Sequence, residues 1–359
     1  MFKKFCSIAL VIVMVISILA TGCAKKENDD VRVGFIYVGP AGDKGWSYAH
    51  DQGRLFLEEE LGVTTIYKEN VPEEDAAVEQ AIRNMIDQGC SIIFTTSFGF
   101  MNATQKMAVE FPDVKFLHCS GFLTEENMSN YFGRMYQPRY LSGIVAGMKT
   151  QSNKIGYVAA FDIPEVVRGI NAFTLGVRSV NPNAEVIVRW TSTWYDPVKE
   201  KDAALSLLDE GCDVIAQHQD TPGPQIAAQE RGKFAIGYHT DSRESAPNAF
   251  LVAPVWNFGP YYADQVKKVI DGTWTSESYW GGMNEGIVAL SAMYDLVPAE
   301  AKAKVEEMSK KITDGTFDVF TGPIYDQNGN LKIAEGVKMT DEQMLSFDWF
   351  VQGVVGKIQ

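Results

Sequence analysis

The sequence predicts an α/β protein of two doubly wound, Rossmann-like lobes with a ligand cleft between them. Three observations carry the prediction. Short apolar runs alternate with amphipathic helical patterns along the chain. The first run, Val33 to Val38, leads into a loop with Gly39, Gly42 and Gly45 and then a helical pattern from Trp46. Strand, loop and helix in that order place the loop at the carboxyl end of a sheet strand, where open α/β sheets keep their crevices. Finally, the pattern restarts. KIGYVAAF at 154–161 repeats RVGFIYVG at 32–39, EVIVR at 185–189 follows VTTIY at 63–67, and LLDEGCDVI at 207–215 follows MIDQGCSII at 85–93, each 122 residues on. One constant offset argues for two copies of a βαβαβ unit.

In chain order, residues 1–22 read as a secretory signal, with Lys3 and Lys4 ahead of an apolar run from Ile8 to Ala20 that is short for a bilayer span. ATGC at 20–23 reads as a lipobox, with Ala20 where Leu is usual, so that Cys23 is lipidated. An ordinary signal peptide with an incidental cysteine is the alternative. Residues 23–30 form a polar tether. The first lobe is expected over 31–150 plus about 253–283. It contains the strand TTIY (64–67), a helix with Val78, Ile82, Met85 and Ile86 on one face, the strands SIIFTTS (91–97) and VKFLHC (114–119), and a helix near 138–150. The second lobe is expected over 151–252 plus about 284–359. The segment 252–283 begins as a strand and continues as a helix with Tyr262, Val266, Val269 and Ile270, returning to the first lobe. The Glu/Lys helix near 298–313 reads as a solvated face, and Arg168 as a surface cation. Roughly 330 mature residues exceed what one core usually serves, in keeping with two lobes.

Composition excludes several classes. Against 32 Lys and Arg stand 46 Asp and Glu, a formal charge of −14; loss of the leader lysines brings it to about −16, which repels nucleic acid and anionic lipid. No later run is long enough to span a bilayer, which leaves the acyl chain as the membrane attachment. Cys90, Cys119 and Cys212 are odd in number and flanked by apolar residues, so they read as buried thiols. The histidines at 50, 118, 218 and 239 share no metal-ligand spacing, and no metal or cofactor is expected. The glycine loop is neither a dinucleotide fingerprint nor a Walker A. There is no GxSxG elbow, HExxH or P-loop. A hydrolase built on a carboxylate pair such as Asp220 and Asp241 is a weaker fit than a non-enzymatic binding protein.

The lipobox, GDKGW at 42–46, NPN at 181–183 and IGYHTDS at 236–242, in that order, resemble the basic membrane protein (BMP) family over about 31–350. The resemblance implies a lipoprotein with the type I periplasmic binding protein fold, held on the extracytoplasmic face of the membrane, that delivers purine nucleosides to an ABC permease. It also implies that Asp43, Lys44 and Trp46 belong to the site, with Trp46 stacked on the base. The loop after the third strand maps to Ser97–Asn102, where Phe98 and Gly99 line the cleft, and His239 and Asp241 take two positions that are acidic in the family. Tyr37-Val38, Ser120 and Val255-Trp256-Asn257 replace two acids and a lysine of the family's ribose site. This turns the expectation toward a free purine base such as adenine, with a nucleoside as the alternative. A sensing lipoprotein that signals to a membrane partner is a third reading, and a monomer is expected.

A purine is a flat π system rimmed by donors and acceptors. Trp46 with Phe98, Trp194 or Trp256 would sandwich it. Asp220 and Asp241 would accept from its N–H groups, and Asn102, Asn171, Asn257 and His239 would donate or accept. Each has a bland alternative. Trp46 has a core staple at the helix start as its lesser reading, Phe98 reads equally as strand-end core, Asp220 as the N-cap of the helix after Pro222, Trp194 as part of a loop cap, Asp241 as a turn cap, and Trp256-Asn257 as hinge packing.

Overall fold

A strand buried on both faces of a parallel sheet needs apolar residues at successive positions, and Val33, Phe35 and Ile36 meet that demand with no exposure at all. In the computed structural model, which describes residues 31–359, they belong to β1 (Arg32–Ile36). The first lobe continues with α1 (Trp46–Leu61), β2 (Thr64–Lys68), α2 (Asp75–Asp87), β3 (Cys90–Thr95), α3 (Met101–Glu110), β4 (Lys115–Cys119) and β5 (Met128–Gly133). The second runs through α4 (Tyr136–Lys149), β6 (Lys154–Ala159), α5 (Pro164–Val180), β7 (Glu185–Trp190), α6 (Pro197–Asp209), β8 (Val214–His218), α7 (Gly223–Glu230), β9 (Phe234–Ile236) and β10 (Phe250–Val252). The chain then passes through β11 (Pro254–Trp256), α8 (Phe258–Ile270), β12 (Ser278–Gly281) and β13 (Val288–Leu290), and later through the short strands β14 (Ile324–Tyr325), β15 (Leu331–Ile333) and β16 (Val354–Val355).

Both sheets are parallel and share one order. The first is β12-β5-β4-β3-β1-β2 and the second β10-β9-β8-β6-β7-β16. The common core, 2-1-3-4-5, is that of a doubly wound sheet. The duplication extends to packing. A Cβ on Gly34 would lie 2.5 Å from Met85 Sδ, and one on Gly156 would lie 2.9 Å from Leu207 Cβ. These glycines and their helical neighbours stand 122 residues apart in sequence. In each lobe the absent side chain lets a helix settle onto the central strand.

Two sequence expectations about organisation are corrected. The helix placed in the first lobe up to residue 150 packs instead on α5 and on α9 (Ala299–Thr313), and its Leu141, Ile144 and Val145 join the core of the second lobe. Glycines let α4 and α5 touch backbone to backbone: a Cβ on Gly143 would sit 2.1 Å from Phe173 O, and one on Gly176 2.0 Å from Tyr140 O. The first crossing between lobes therefore lies near residue 134. The helix read as a solvated face keeps that character on one side only, because Ala301, Val305, Met308 and Ile312 are buried.

The returning segment places α8 against α1 and adds β12 to the edge of the first sheet. β11 and β13 pair antiparallel as a two-stranded ribbon where the chain passes between lobes. Cys90, Cys119 and Cys212 are buried free thiols. No described helix is long and apolar enough to cross a membrane. The signal pattern and Cys23 lie outside the described residues.

Candidate functional site

The strand-end loops of the two lobes face each other and are in contact. Trp194 Nε1 donates to Glu73 Oε2 at 3.1 Å, Ser120 Oγ to Glu165 Oε2 at 2.5 Å, and Thr240 Oγ1 to the Lys44 carbonyl at 2.5 Å. Arg134 makes a bidentate pair with Asp341, at 2.8 and 2.7 Å. The lobes are closed, and the atom-free space between their loops is about 280 Å³ when the part open to solvent is counted, but only about 20 Å³ of it has room for a water. Val38, Trp46, Ser97, Phe98 and Ser120 line it from the first lobe, and Glu165, Trp194 and Asp220 from the second. No Lys or Arg is among them.

Trp46 reaches this cavity from the first turn of α1. Its Nε1 donates to Thr96 O at 2.6 Å, and its ring meets His50 edge-on at 4.3 Å and Trp256 edge-on at 5.4 Å. With 7% exposure it is held on all sides but the cavity side. Asp43 organises the turn below it. Gly45 at the helix start has no side chain to cap with, so Asp43 Oδ1 accepts from Gly45 N (2.7 Å) and Tyr48 N (3.0 Å) and Oδ2 from Ser47 N (2.9 Å). Burial pushes the Asp43 carboxyl up to about 6, against the pull of these donors.

Asp220 lies across the cavity and is not an N-cap; α7 has no side-chain cap. His239 Nε2 is 3.1 Å from Asp220 Oδ1, and Trp256 Nε1 is 3.0 Å from His239 Nδ1. An indole nitrogen only donates, so Nδ1 is the bare acceptor and the neutral ring carries its proton on Nε2, directed at Asp220. Burial, then the charges of His218, Arg139 and His50, hold His239 well below its usual value. Burial, then Asp43, Glu200, Glu73 and Glu165, push Asp220 well up. Trp256 thus acts from behind, through His239, and Asp220 Oδ1 is fixed by a donor.

Lys44 adopts a left-handed φ of 62° and points its side chain to solvent. Gly99 N donates to Glu73 Oε1 at 2.9 Å, and a Cβ there would lie 2.6 Å from the Glu73 carboxyl carbon. Like Lys44, four further candidates are not brought to the cavity. Asn102 is exposed on α3. Asp241 is exposed and accepts from Arg243 N (3.2 Å) and Tyr294 OH (2.9 Å), so it caps a turn. Asn257 is exposed and turns to Gly286 O at 3.1 Å. Asn171 is spent on the backbone of Trp349 and Val351. Arg168 is not a surface cation either. It is 4% exposed and its Nη1 donates to Met344 O at 2.7 Å.

Sequence reasoning missed Glu73 and Glu165, and had Ser97 only as the first residue of the loop after the third strand. The signal for Glu165 was present in the repeat. The 122-residue offset that superposes the strands carries Asp43 onto Glu165, Trp46 onto Arg168 and Phe98 onto Asp220. Glu165 also has His218 behind it, with Nε2 at 3.5 Å from Oε1. A larger chamber, about 700 Å³ of atom-free space, adjoins the first and shares Phe98, Ser120 and Glu165 with it; Phe132, Arg168 and Trp280 line its far parts. Among the described residues, no cluster of His, Cys, Asp and Glu is fit to hold a metal ion.

Known proteins resemble this chain throughout. A purine-binding protein of Brucella abortus is 43% identical over 97% of this chain and 99% of its own length. A putative ABC transporter glucose-binding protein of Haloferax volcanii is 38% identical over 94% of this chain and 83% of its own. Among solved structures, a solute-binding protein of an ABC transporter system from Aeropyrum pernix matches with a TM-score of 0.71 at 21% identity, covering 80% of this chain and 92% of that one. A transcriptional activator of the comK gene from Bacillus halodurans matches at 0.67 and 24%, covering 80% and 99%. At such identities these structures speak for the two-lobed fold alone. The family model of the PnrA-like ABC transporter substrate-binding proteins covers residues 30–319. The chain accordingly belongs to this Bmp family of substrate-binding proteins, which capture solutes for ABC transporters and are not enzymes.

Proposed function

We propose that the protein captures a free purine base, adenine foremost, for an ABC importer, and that it is held at the extracytoplasmic face of the membrane by a lipid on Cys23. The observation that carries the base is the closed cavity. Three aromatic rings, Trp46, Phe98 and Trp194, and two carboxylates, Asp220 and Glu165, surround one small space. In this closed form the space itself holds only about 20 Å³, room for about one water, so the lobes part to take up a base between these side chains. Aromatic faces suit a planar heterocycle, and carboxylates suit its N–H edges. The name of the Brucella abortus relative points the same way. A nucleoside is the second reading, favoured by the adjoining chamber, which offers room beside Glu165.

A thermal-shift screen of the described body with adenine, guanine, hypoxanthine, xanthine and their nucleosides tests this. A ligand at a hundred times its Kd adds about 2.7 kcal/mol. Stabilisation by bases over nucleosides supports the proposal, stabilisation by nucleosides favours the second reading, and no response to any purine refutes both.

A further inference from the structure

We propose, resting on the purine reading above, that Glu165 is the residue that tells a free base from its nucleoside by accepting a hydrogen bond from the imidazole-ring N–H of the base. The argument begins with where Glu165 stands. It lines both the small cavity and the larger chamber, together with Phe98 and Ser120. It is therefore on the boundary between them. A base held against Trp46 and Phe98 as the lobes close would have the space of the larger chamber on its Glu165 side, the side on which a substituent would extend. In a nucleoside that substituent is the sugar, carried on the ring nitrogen that in the free base bears hydrogen. The group that meets this nitrogen at the boundary decides whether hydrogen or carbon is preferred.

Glu165 is suited to prefer hydrogen. A carboxylate accepts and does not donate, and the first turn of a helix, where Glu165 sits in α5, favours its negative charge. Oε2 is engaged by the Ser120 hydroxyl from across the cleft at 2.5 Å. The neighbour of Oε1 is His218 Nε2 at 3.5 Å, beyond a good hydrogen bond, so Oε1 keeps acceptor capacity. The Glu165 side chain is 15% exposed, and no cation lines the small cavity to neutralise it. Arg168, one turn on, is engaged with Met344 O. With a free base, Oε1 gains a donor. With a nucleoside it faces a C–N bond and stays desolvated without one, the situation in which sites built to hydrogen-bond a group reject analogues lacking it most strongly. Ser120 links this choice to closure, since the residue that reads the ligand also ties the lobes together.

The experiment compares adenine with 9-methyladenine, which keeps the flat ring and the amino group and lacks the ring N–H, by calorimetry on wild type, Glu165→Ala and Glu165→Gln. Gln keeps an acceptor for Ser120, which guards the fold if Ala does not tolerate the site; melting curves check both. Wild type is expected to prefer adenine by about a hundredfold or more, and Glu165→Ala to narrow that ratio at least tenfold, with Glu165→Gln between. An unchanged ratio in variants that still bind adenine overturns the assignment, as does a wild type that binds both ligands equally. Failure of wild type to bind any purine removes the purine reading itself, and this inference with it.

Discussion

Gly45 stands where the first lobe touches the second, and adding one methyl group there is expected to hold the cleft open. A Cβ on Gly45 would lie 2.0 Å from the Asp220 carbonyl oxygen, 2.6 Å from its carbon and 3.0 Å from its Cα. All three are backbone atoms of the other lobe, so no side chain can swing aside. Restoring an ordinary contact of 3.4 Å requires a separation of about 1.4 Å, enough to break hydrogen bonds formed only on closure. The nearest is Thr240 Oγ1 to Lys44 O at 2.5 Å, and Ser120 Oγ to Glu165 at 2.5 Å is also at stake. At about 0.5–1.5 kcal/mol each, with added strain from overpacking, the closed form loses about 2–3 kcal/mol. That is roughly 30- to 150-fold in Kd. Gly45→Ala is to be measured by calorimetry with the best purine from the screen, and by small-angle scattering with and without ligand. An affinity within threefold of wild type, accompanied by normal compaction on binding, would refute the reasoning.

Other predictions follow from the same geometry. Trp46→Ala should weaken purine binding at least tenfold. Because the ring is buried, it should also cost about 3–5 kcal/mol of stability, so affinity and urea unfolding are read together; unchanged affinity would remove Trp46 from the site. Trp194→Phe deletes the donor to Glu73 while keeping a ring. Affinity should fall several-fold with the unfolding midpoint unmoved, and a shifted midpoint with unaltered affinity would show that the contact serves folding instead. Burial raises the carboxyls of Asp43 to about 6 and of Glu200 to about 7, so between their usual range and pH 7 the folded state holds protons that the unfolded chain releases. The share of stability these two carboxyls contribute should then fall as pH rises through that window, while His50, His118, His218 and His239, which burial holds below their usual value, act in the opposite sense. The test is therefore a difference: the urea midpoint of wild type relative to Glu200→Gln should fall from pH 5 to pH 8, and an identical pH profile in the two would exonerate Glu200.

The sequence was most readable where one physical demand acts on adjacent residues. β1, its glycine loop and α1 were legible because a buried strand, a tight turn and a helix start each constrain a short stretch. The second copy was legible because the same demand returns at a fixed interval. α4 was assigned to the wrong lobe because helical periodicity shows that Leu141 and Ile144 are buried without showing against what. The informative residues were the glycines at 143, 147 and 176, which allow close approach to one particular partner. Asn102, Asp241 and Asn257 have suitable chemistry and lie near strand ends in sequence. A rotation of one residue on a helix, or one turn-capping bond, is enough to direct such a side chain outward. Glu73 went unnoticed because its role depends on Trp194 of the opposing lobe, which no local pattern encodes.

The cavity draws its flat surfaces in good part from one copy of the repeat, as Trp46 and Phe98, and its carboxylates from the other, as Asp220 and Glu165. Equivalent positions in the two copies thus carry different duties: the place held by Phe98 in one is held by Asp220 in the other. Once a duplicated unit has divided its labour in this way, the two properties of a receptor separate. On the proposed reading, changes confined to the first copy would mainly adjust how firmly a planar solute is gripped, and changes confined to the second would mainly adjust which solute it is. A transport system can then acquire a new cargo by altering a few residues on one half of the receptor, leaving the other half, and the surfaces by which the closed receptor is recognised, as they were.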